Sequence, residues 1–202
     1  MTEVLGQEFY LSEDVVSLSE QLLGMYLCTD LEGVYTSGKI VETEAYKAPE
    51  DKASHAFGNR RTQRTETMFH PGGHAYIYLC YGIHHLFNVV TGPEGSAHAI
   101  LIRAIEPKYG IDHMLLRRNM SKVNYRLSNG PGILTKALGL TTSLNGETLL
   151  KTGKVWIEDR NSQINPKDVL RSTRVGVDYA EECASWDWRF RIKGNPWCSP
   201  AK

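Results

Sequence analysis

The 202-residue sequence predicts an α+β fold: a single domain over residues 1–202, built on a mostly antiparallel sheet with helices at its periphery. Three observations lead there. Runs rich in β-branched and aromatic residues fall near 26–31, 38–47, 74–81, 86–91 and 98–106, and again near 154–158 and 186–193. They follow one another in hairpin succession with a few helical patterns between them, which favours antiparallel pairing. No internal repeat and no low-complexity linker divides the chain.

The helical patterns are short. Ser12, followed by Glu13 and Asp14, makes a helix start, and Val15, Val16, Leu18, Leu22 and Leu23 form an apolar stripe that runs to Gly24. A second helix is predicted over roughly 108–119, using Ile111, Met114, Leu115 and Arg118. A third runs from Pro131 to Leu138, with proline in its first turn and Gly139 past its end. The segment 47–73 reads as a long polar loop rich in turn residues, carrying Lys52, His55, Arg60, Arg61 and Arg64. Loops of that length in compact domains are usually functional or disordered. A basic loop directly after a strand that carries glutamates would draw an anionic ligand towards them.

Composition narrows the class. Hydrophobic residues make up 41% and charged residues 23%, ordinary values for a globular fold. No apolar run approaches the ~18 residues of a membrane span. Residues 1–8 lack the basic start and apolar core of a signal peptide. Cys28, Cys80, Cys183 and Cys198 form no Cys-x-x-Cys pair, a usage that fits a reducing, cytoplasmic compartment. Net charge is zero but uneven: residues 1–50 carry ten Asp/Glu against Lys39 and Lys47, and residues 51–202 carry 21 Lys/Arg against 13 Asp/Glu. That asymmetry permits a basic face for a polyanion without requiring one.

Chemistry concentrates on three strands. Strand alternation over 39–46 puts Ile40, Glu42, Glu44 and Tyr46 on one face and Lys39, Val41, Thr43 and Ala45 on the other. A strand that only built a core would not usually carry two glutamates, although a solvated edge face satisfies the same spacing. In 74–81, Tyr76 and Tyr78 share one face, opposite Ala75, Ile77 and Leu79; as strand packers they need no function. Tyr81-Gly82 then falls at a hairpin turn, where core packing does not call for an aromatic. The segment 97–107 is a nearly continuous apolar strand interrupted by Arg103. A buried guanidinium needs an acidic partner, and Glu44 and Glu42 are the candidates, whether for catalysis or for a structural ion pair. His70 and His74 raise a metal hydrolase, but Pro71-Gly72-Gly73 breaks the helix that would align them, so no metal is expected.

Together these residues carry a resemblance. VETEAY (41–46), PEDKASHAFGNRRTQR (49–64), MFHPGGHAYIYLCYGIHHLFNVV (68–90), ILIRAIEP (100–107), NGPGILTKALG (129–139) and RVGV (174–177) resemble the alkyladenine (3-methyladenine) DNA glycosylase family, in order and over most of the chain. The resemblance implies a curved, mostly antiparallel sheet with peripheral helices and a protruding β-hairpin that carries a DNA-wedging tyrosine. It implies a monofunctional base-excision repair enzyme, working as a monomer on double-stranded DNA that contains damaged purines. Such an enzyme flips the purine out and hydrolyses its N-glycosidic bond, with no metal and no cofactor. Carried over by motif, Glu44 would activate the water and Arg103 would hold water and carboxylate. Tyr46, His55 and Tyr78 would form an aromatic slot for the flipped base, Asn88 and Val175 would line its wall, and Tyr81 would wedge into the minor groove. Arg60, Arg61 and Arg64 are candidate contacts to the DNA backbone. The resemblance assigns no role to Glu42.

The chemistry agrees with those roles. Loss of an alkylated purine needs a water, a base and stabilisation of an oxocarbenium-like sugar, and one carboxylate supplies the last two. Unstacking costs a few kcal/mol, which stacking at roughly 1–3 kcal/mol per aromatic contact can offset. A rival reading, a non-catalytic nucleic-acid-binding module, leaves the glutamates unexplained, since a carboxylate beside phosphates weakens binding.

Overall fold

The computed structural model describes residues 2–162 and 164–200. In chain order the elements are β1 (Glu3–Val4), α1 (Gln7–Tyr10), α2 (Val15–Gln21), β2 (Tyr26–Leu31), β3 (Val34–Lys47), β4 (Ala75–Cys80), β5 (His84–Thr91), β6 (His98–Tyr109), α3 (Ile111–Arg118), α4 (Pro131–Leu138), β7 (Val155–Asp159), β8 (Val169–Ser172) and β9 (Arg189–Ile192). The strands form one antiparallel sheet in the order β1-β7-β2-β3-β6-β5-β4, with β9 added to β3 and β8 added to β9.

The 14-residue β3 is its spine. It turns back from β2 through Glu32 and Gly33, both with positive φ as a tight hairpin requires. It pairs along one edge with β6, and along the other with β2 and then β9.

The alternation read from sequence separates the two sheet faces. Ala45, Ala75, Ile77, Phe87, Val89, Ile100 and Ile102 point into the main core, against Leu18 and Leu22 at α2 and Leu134, Ala137 and Leu138 of α4. Their strand neighbours Tyr46, Tyr78, Leu86, Asn88, Leu101 and Arg103 face the other way, onto a cavity. Burial of the apolar face, worth about 25 cal/mol per Å² removed from water, holds the layers together. The opposite face is thereby left available for polar chemistry.

Several boundaries differ from the sequence reading. β6 runs on to Tyr109, because Pro107 and Tyr109 still pair with Gly38 and Ser37; α3 therefore begins only at Ile111, after Gly110 at φ 68°. Asp14 rather than Ser12 caps α2, its carboxylate accepting from the Ser17 amide at 3.0 Å. β1, α1 and β8 were not anticipated, being at most four residues long.

The segment 47–73 is more packed than its composition suggests. Residues 57–64 are mostly exposed, as a polar loop predicts, and His55 and Arg64 line the cavity; two 3₁₀ turns, Phe57–Asn59 and Glu66–Phe69, shape it. Ala48, Ala56, Met68 and Phe69 bury against Tyr76, Val90, Ala97 and Ala99. Its apolar residues are small or isolated and follow neither a helical nor a strand period, so the pattern gave no sign of burial.

Candidate active site

β3 and β6 each carry an irregularity where they cross the site. Ile40 pairs with Ile105, Glu42 with Ala104 and Thr43 with Ile102, so Val41 and Arg103 have no direct partner in the ladder. Such bulges re-aim side chains. They also correct the alternation read from sequence. Ile40 does not share the face of Glu42 and Glu44, but lies in the main core with Ala45, the register having slipped by one residue between them. Glu42, Glu44 and Tyr46 do share a face, and Arg103 emerges opposite them.

Both glutamates are wholly buried and Arg103 joins them. Its Nε donates to Glu42 Oε1 at 2.8 Å and its Nη1 to Glu44 Oε2 at 3.1 Å. Burial works against its charge, yet the Glu44 and Glu42 carboxylates outweigh that and raise its pKa. Glu44 Oε2 also accepts the Tyr46 hydroxyl at 2.9 Å, and Oε1 accepts the Val175 amide at 2.8 Å. Glu44 thus sits one hydrogen bond behind three residues, Tyr46, Arg103 and Val175, that line a cavity of about 560 Å³.

The remaining walls are aromatic. Tyr78 lies edge to face on His55, centroids 4.5 Å apart, and Tyr76 is 5.5 Å from Tyr78. Asn88 is buried in the wall, its amide donating to the Tyr76 and Leu86 carbonyls at 3.1 and 3.3 Å. Burial, then the Glu44 charge, pushes the Tyr46 hydroxyl well up, and burial raises Tyr78 as well, so both stay neutral.

His55 is tuned too. Arg64 Nη2, which can only donate, approaches His55 Nε2 at 3.4 Å. Nδ1 therefore carries the proton, donating to the Tyr76 hydroxyl at 2.9 Å. Burial, then Arg64, pushes the imidazole down to about 4 from an ordinary 6.5. Because the unfolded chain binds this proton more readily, the group's contribution to stability is complete above pH 6.5 and is lost as pH falls towards 4. NMR titration is expected to show His55 neutral from pH 8 down to about 5. A midpoint near 6.5 would contradict this environment.

Tyr81 stands in the β4–β5 turn with φ 51°, followed by Gly82 at φ 72°, and 91% of it is exposed. A bulky residue in that region costs on the order of 1 kcal/mol. Ile83, 71% exposed, projects beside it.

The three arginines do different things. Arg60 is exposed, Arg61 is held by Glu66 through bonds of 2.9 and 2.6 Å, and Arg64 lies on the Tyr78 ring at 5.1 Å in the cavity wall. His70 and His74 stack edge to face at 5.3 Å, and His74 Nδ1 donates to the Pro71 carbonyl at 2.8 Å. Among the described residues, no three His, Cys, Asp or Glu side chains gather as a metal site.

Sequence reasoning missed the support of the 174–177 segment. Arg174 is buried, paired with Asp51 through Nη1–Oδ2 at 2.5 Å and Nη2–Oδ1 at 2.8 Å, and it also donates to the Ala45 and Cys183 carbonyls. Its guanidinium lies 4.8 Å from the Tyr46 ring and 5.3 Å from that of Trp188. This pair fixes Val175 over Glu44. Only the RVGV motif pointed there, without a role for its arginine. Tyr179, 67% exposed at the cavity rim, was missed as well.

The sheet thus presents a buried carboxylate behind an aromatic-walled cavity, next to an exposed tyrosine in a hairpin turn, an arrangement whose shape suits a planar ligand. The comparisons go further. The model of the methylpurine-DNA glycosylase family matches residues 8–196. A protein of Chlamydia pneumoniae named "Putative 3-methyladenine DNA glycosylase" is 49% identical over 191 residues, covering 94% of this chain and 95% of its own. Proteins of the same name from Bacillus cytotoxicus and Clostridium botulinum are 43% and 42% identical, covering 92% and 97% of this chain and 95% and 98% of their own. The chain belongs to the methylpurine-DNA glycosylase family. It is accordingly a DNA glycosylase of base-excision repair. No helix among the described residues is long and apolar enough to cross a membrane.

Proposed function

We propose that this enzyme flips damaged purines, among them 3-methyladenine and hypoxanthine, out of duplex DNA and hydrolyses the N-glycosidic bond with a water activated by Glu44. One observation carries the reading: Glu44 lies directly behind a cavity whose walls are Tyr46, His55, Tyr78 and Asn88, with Arg103 and Val175 between it and the opening. The cavity volume falls within the ~300–1,000 Å³ of small-ligand sites. The carboxylate is wholly buried, so water reaches it as the incoming nucleoside draws the Tyr46 hydroxyl away from Glu44 Oε2, while Arg103 stays on the carboxylate. The bond from C1′ to the purine breaks with its electron pair leaving on the base; cationic 3-methyladenine departs neutral, and hypoxanthine departs as an anion that takes a proton from solvent water. The water oxygen bonds to C1′ and Glu44 takes the proton that this water loses. Its charge meanwhile stabilises the cationic sugar. No lysine stands among the described lining residues, which supports water, and not an amine, as the nucleophile, and hence no strand cleavage.

The test is a panel of duplexes, each with one lesion, incubated with the protein in chelator. Free base and an alkali-labile abasic site are expected from 3-methyladenine or hypoxanthine, with undamaged adenine and guanine left intact. Absence of release from every lesion would sink the reading. In the same account, Tyr81 fills the space that the flipped base vacates. Tyr81→Ala is therefore expected to weaken lesion-duplex binding about 10- to 100-fold, the loss of one stacking contact. It should retain excision from a lesion already extrahelical in a bulge. Anisotropy with both substrates separates the two effects, and equal loss on both would contradict a wedge.

A further inference from the structure

Glu42 is a fully buried acid that accepts four hydrogen bonds and has no part in the reaction described so far. We propose that it is a positioning residue for that reaction, acting through Arg103, and that Ser199 completes it. The inference rests on the assignment of Glu44 and Arg103 made above.

Glu42 is fully buried and accepts four hydrogen bonds. Oε1 takes Arg103 Nε at 2.8 Å, Arg189 Nε at 2.9 Å and the Ser199 hydroxyl at 2.8 Å; Oε2 takes the Ser199 amide at 2.5 Å. Ser199 in turn receives Arg189 Nη2 at 3.3 Å, and the adjacent Cys198 thiol reaches the Val41 carbonyl at 3.4 Å. Cys198 and Ser199 are thereby tied to Val41, the residue that bulges out beside Glu42, and to Glu42 itself.

The consequence follows from the shape of arginine. A guanidinium is a rigid planar fork, so anchoring Nε fixes where the Nη groups point. With Nε held by Glu42, Nη1 of Arg103 is aimed at Glu44. Without that anchor, rotation about the side-chain bonds lets Arg103 turn away from the carboxylate and into the cavity that it lines. Stability alone does not call for this cluster, since well-packed apolar residues commonly replace buried ion pairs without loss. Ser199 lies beyond residues 8–196 matched by the family model, so this brace is built partly from outside the matched region.

The test is a double-mutant cycle on single-turnover excision at saturating protein. Glu42→Gln is expected to slow excision about 10- to 100-fold, the worth of a hydrogen bond between charged groups, with lesion-duplex Kd within about twofold. Ser199→Ala, which removes one of the four bonds to Glu42 together with the acceptor of Arg189 Nη2 but keeps the backbone amide bond, is expected to slow it about threefold. In an Arg103→Ala background neither substitution should slow excision further, because coupled residues are not additive. Equal slowing in both backgrounds, or wild-type rates with only a lowered Tm, would make Glu42 a fold anchor and overturn the proposal. If Glu42→Gln does not fold, Ser199→Ala decides by the same cycle. A Glu44→Gln control separates the two readings: wild-type excision by that variant would remove the underlying assignment, whatever the cycle shows.

Discussion

Glu44→Gln is expected to yield a folded protein that binds lesion duplex within about threefold of the native enzyme yet excises about 10²–10⁴-fold more slowly. The substitution keeps the shape of the side chain but removes the charge and the proton acceptor. One carbonyl oxygen must then serve Arg103 and the Val175 amide, while the Tyr46 hydroxyl can turn to accept from the new amide. That rearrangement costs stability, and Tm should fall by a few degrees. On the proposed reading, binding rests on the aromatic rings and the hairpin, and the substitution leaves those rings in place. Single-turnover rates and anisotropy, measured on one preparation, check the split. A variant that lost binding and rate together would point to collapse of the site and would count against a base at position 44.

Asp51→Ala is expected to be the most destabilising single change near the site, by about 3–5 kcal/mol in urea unfolding. It strands the Arg174 guanidinium, whose side chain is fully buried against a fully buried partner. It also removes the acceptors of the Lys47 and Ala53 amides, at 3.3 and 3.0 Å. For a chain of this length the loss corresponds to a fall in Tm on the order of 10 °C. Excision should drop as well, since Arg174 holds the segment that places Val175 on Glu44. Adding Arg174→Met to Asp51→Ala should recover part of the stability, because the stranded charge is gone. A cost under about 1 kcal/mol for Asp51→Ala would show that the pair does not brace the 47–73 loop.

The contrast between Asp51 and Glu44 shows what the sequence could disclose. Glu44 and Tyr46 sit on one strand, where a period of two fixes which side chains share a face, and the lone arginine in the apolar 97–107 run pointed to an acidic partner; Tyr78 joined them only through the family resemblance. The same rule failed at Ile40, because a bulge adds a residue that no pattern announces. It was silent on Asp51, Arg174, Arg189 and Ser199. These lie in turns or far along the chain, and contacts across 123 or 157 residues leave no local signature. The burial of Ala48, Ala56, Met68 and Phe69 within the 47–73 loop was hidden for a related reason: alanines and isolated large residues pack without periodicity. The family pattern supplied His55, Asn88 and Val175, which spacing alone did not single out.

The most direct test of the central claim, that a damaged purine is cleaved in the cavity in front of Glu44, is a crystal structure of the Glu44→Gln protein bound to a hypoxanthine-containing duplex. The account predicts the purine rotated into the cavity between Tyr46 and the His55–Tyr78 wall, its C1′ facing position 44, with Tyr81 in the vacated stack. A lesion still stacked in the helix, or held away from residues 44 and 103, would contradict it.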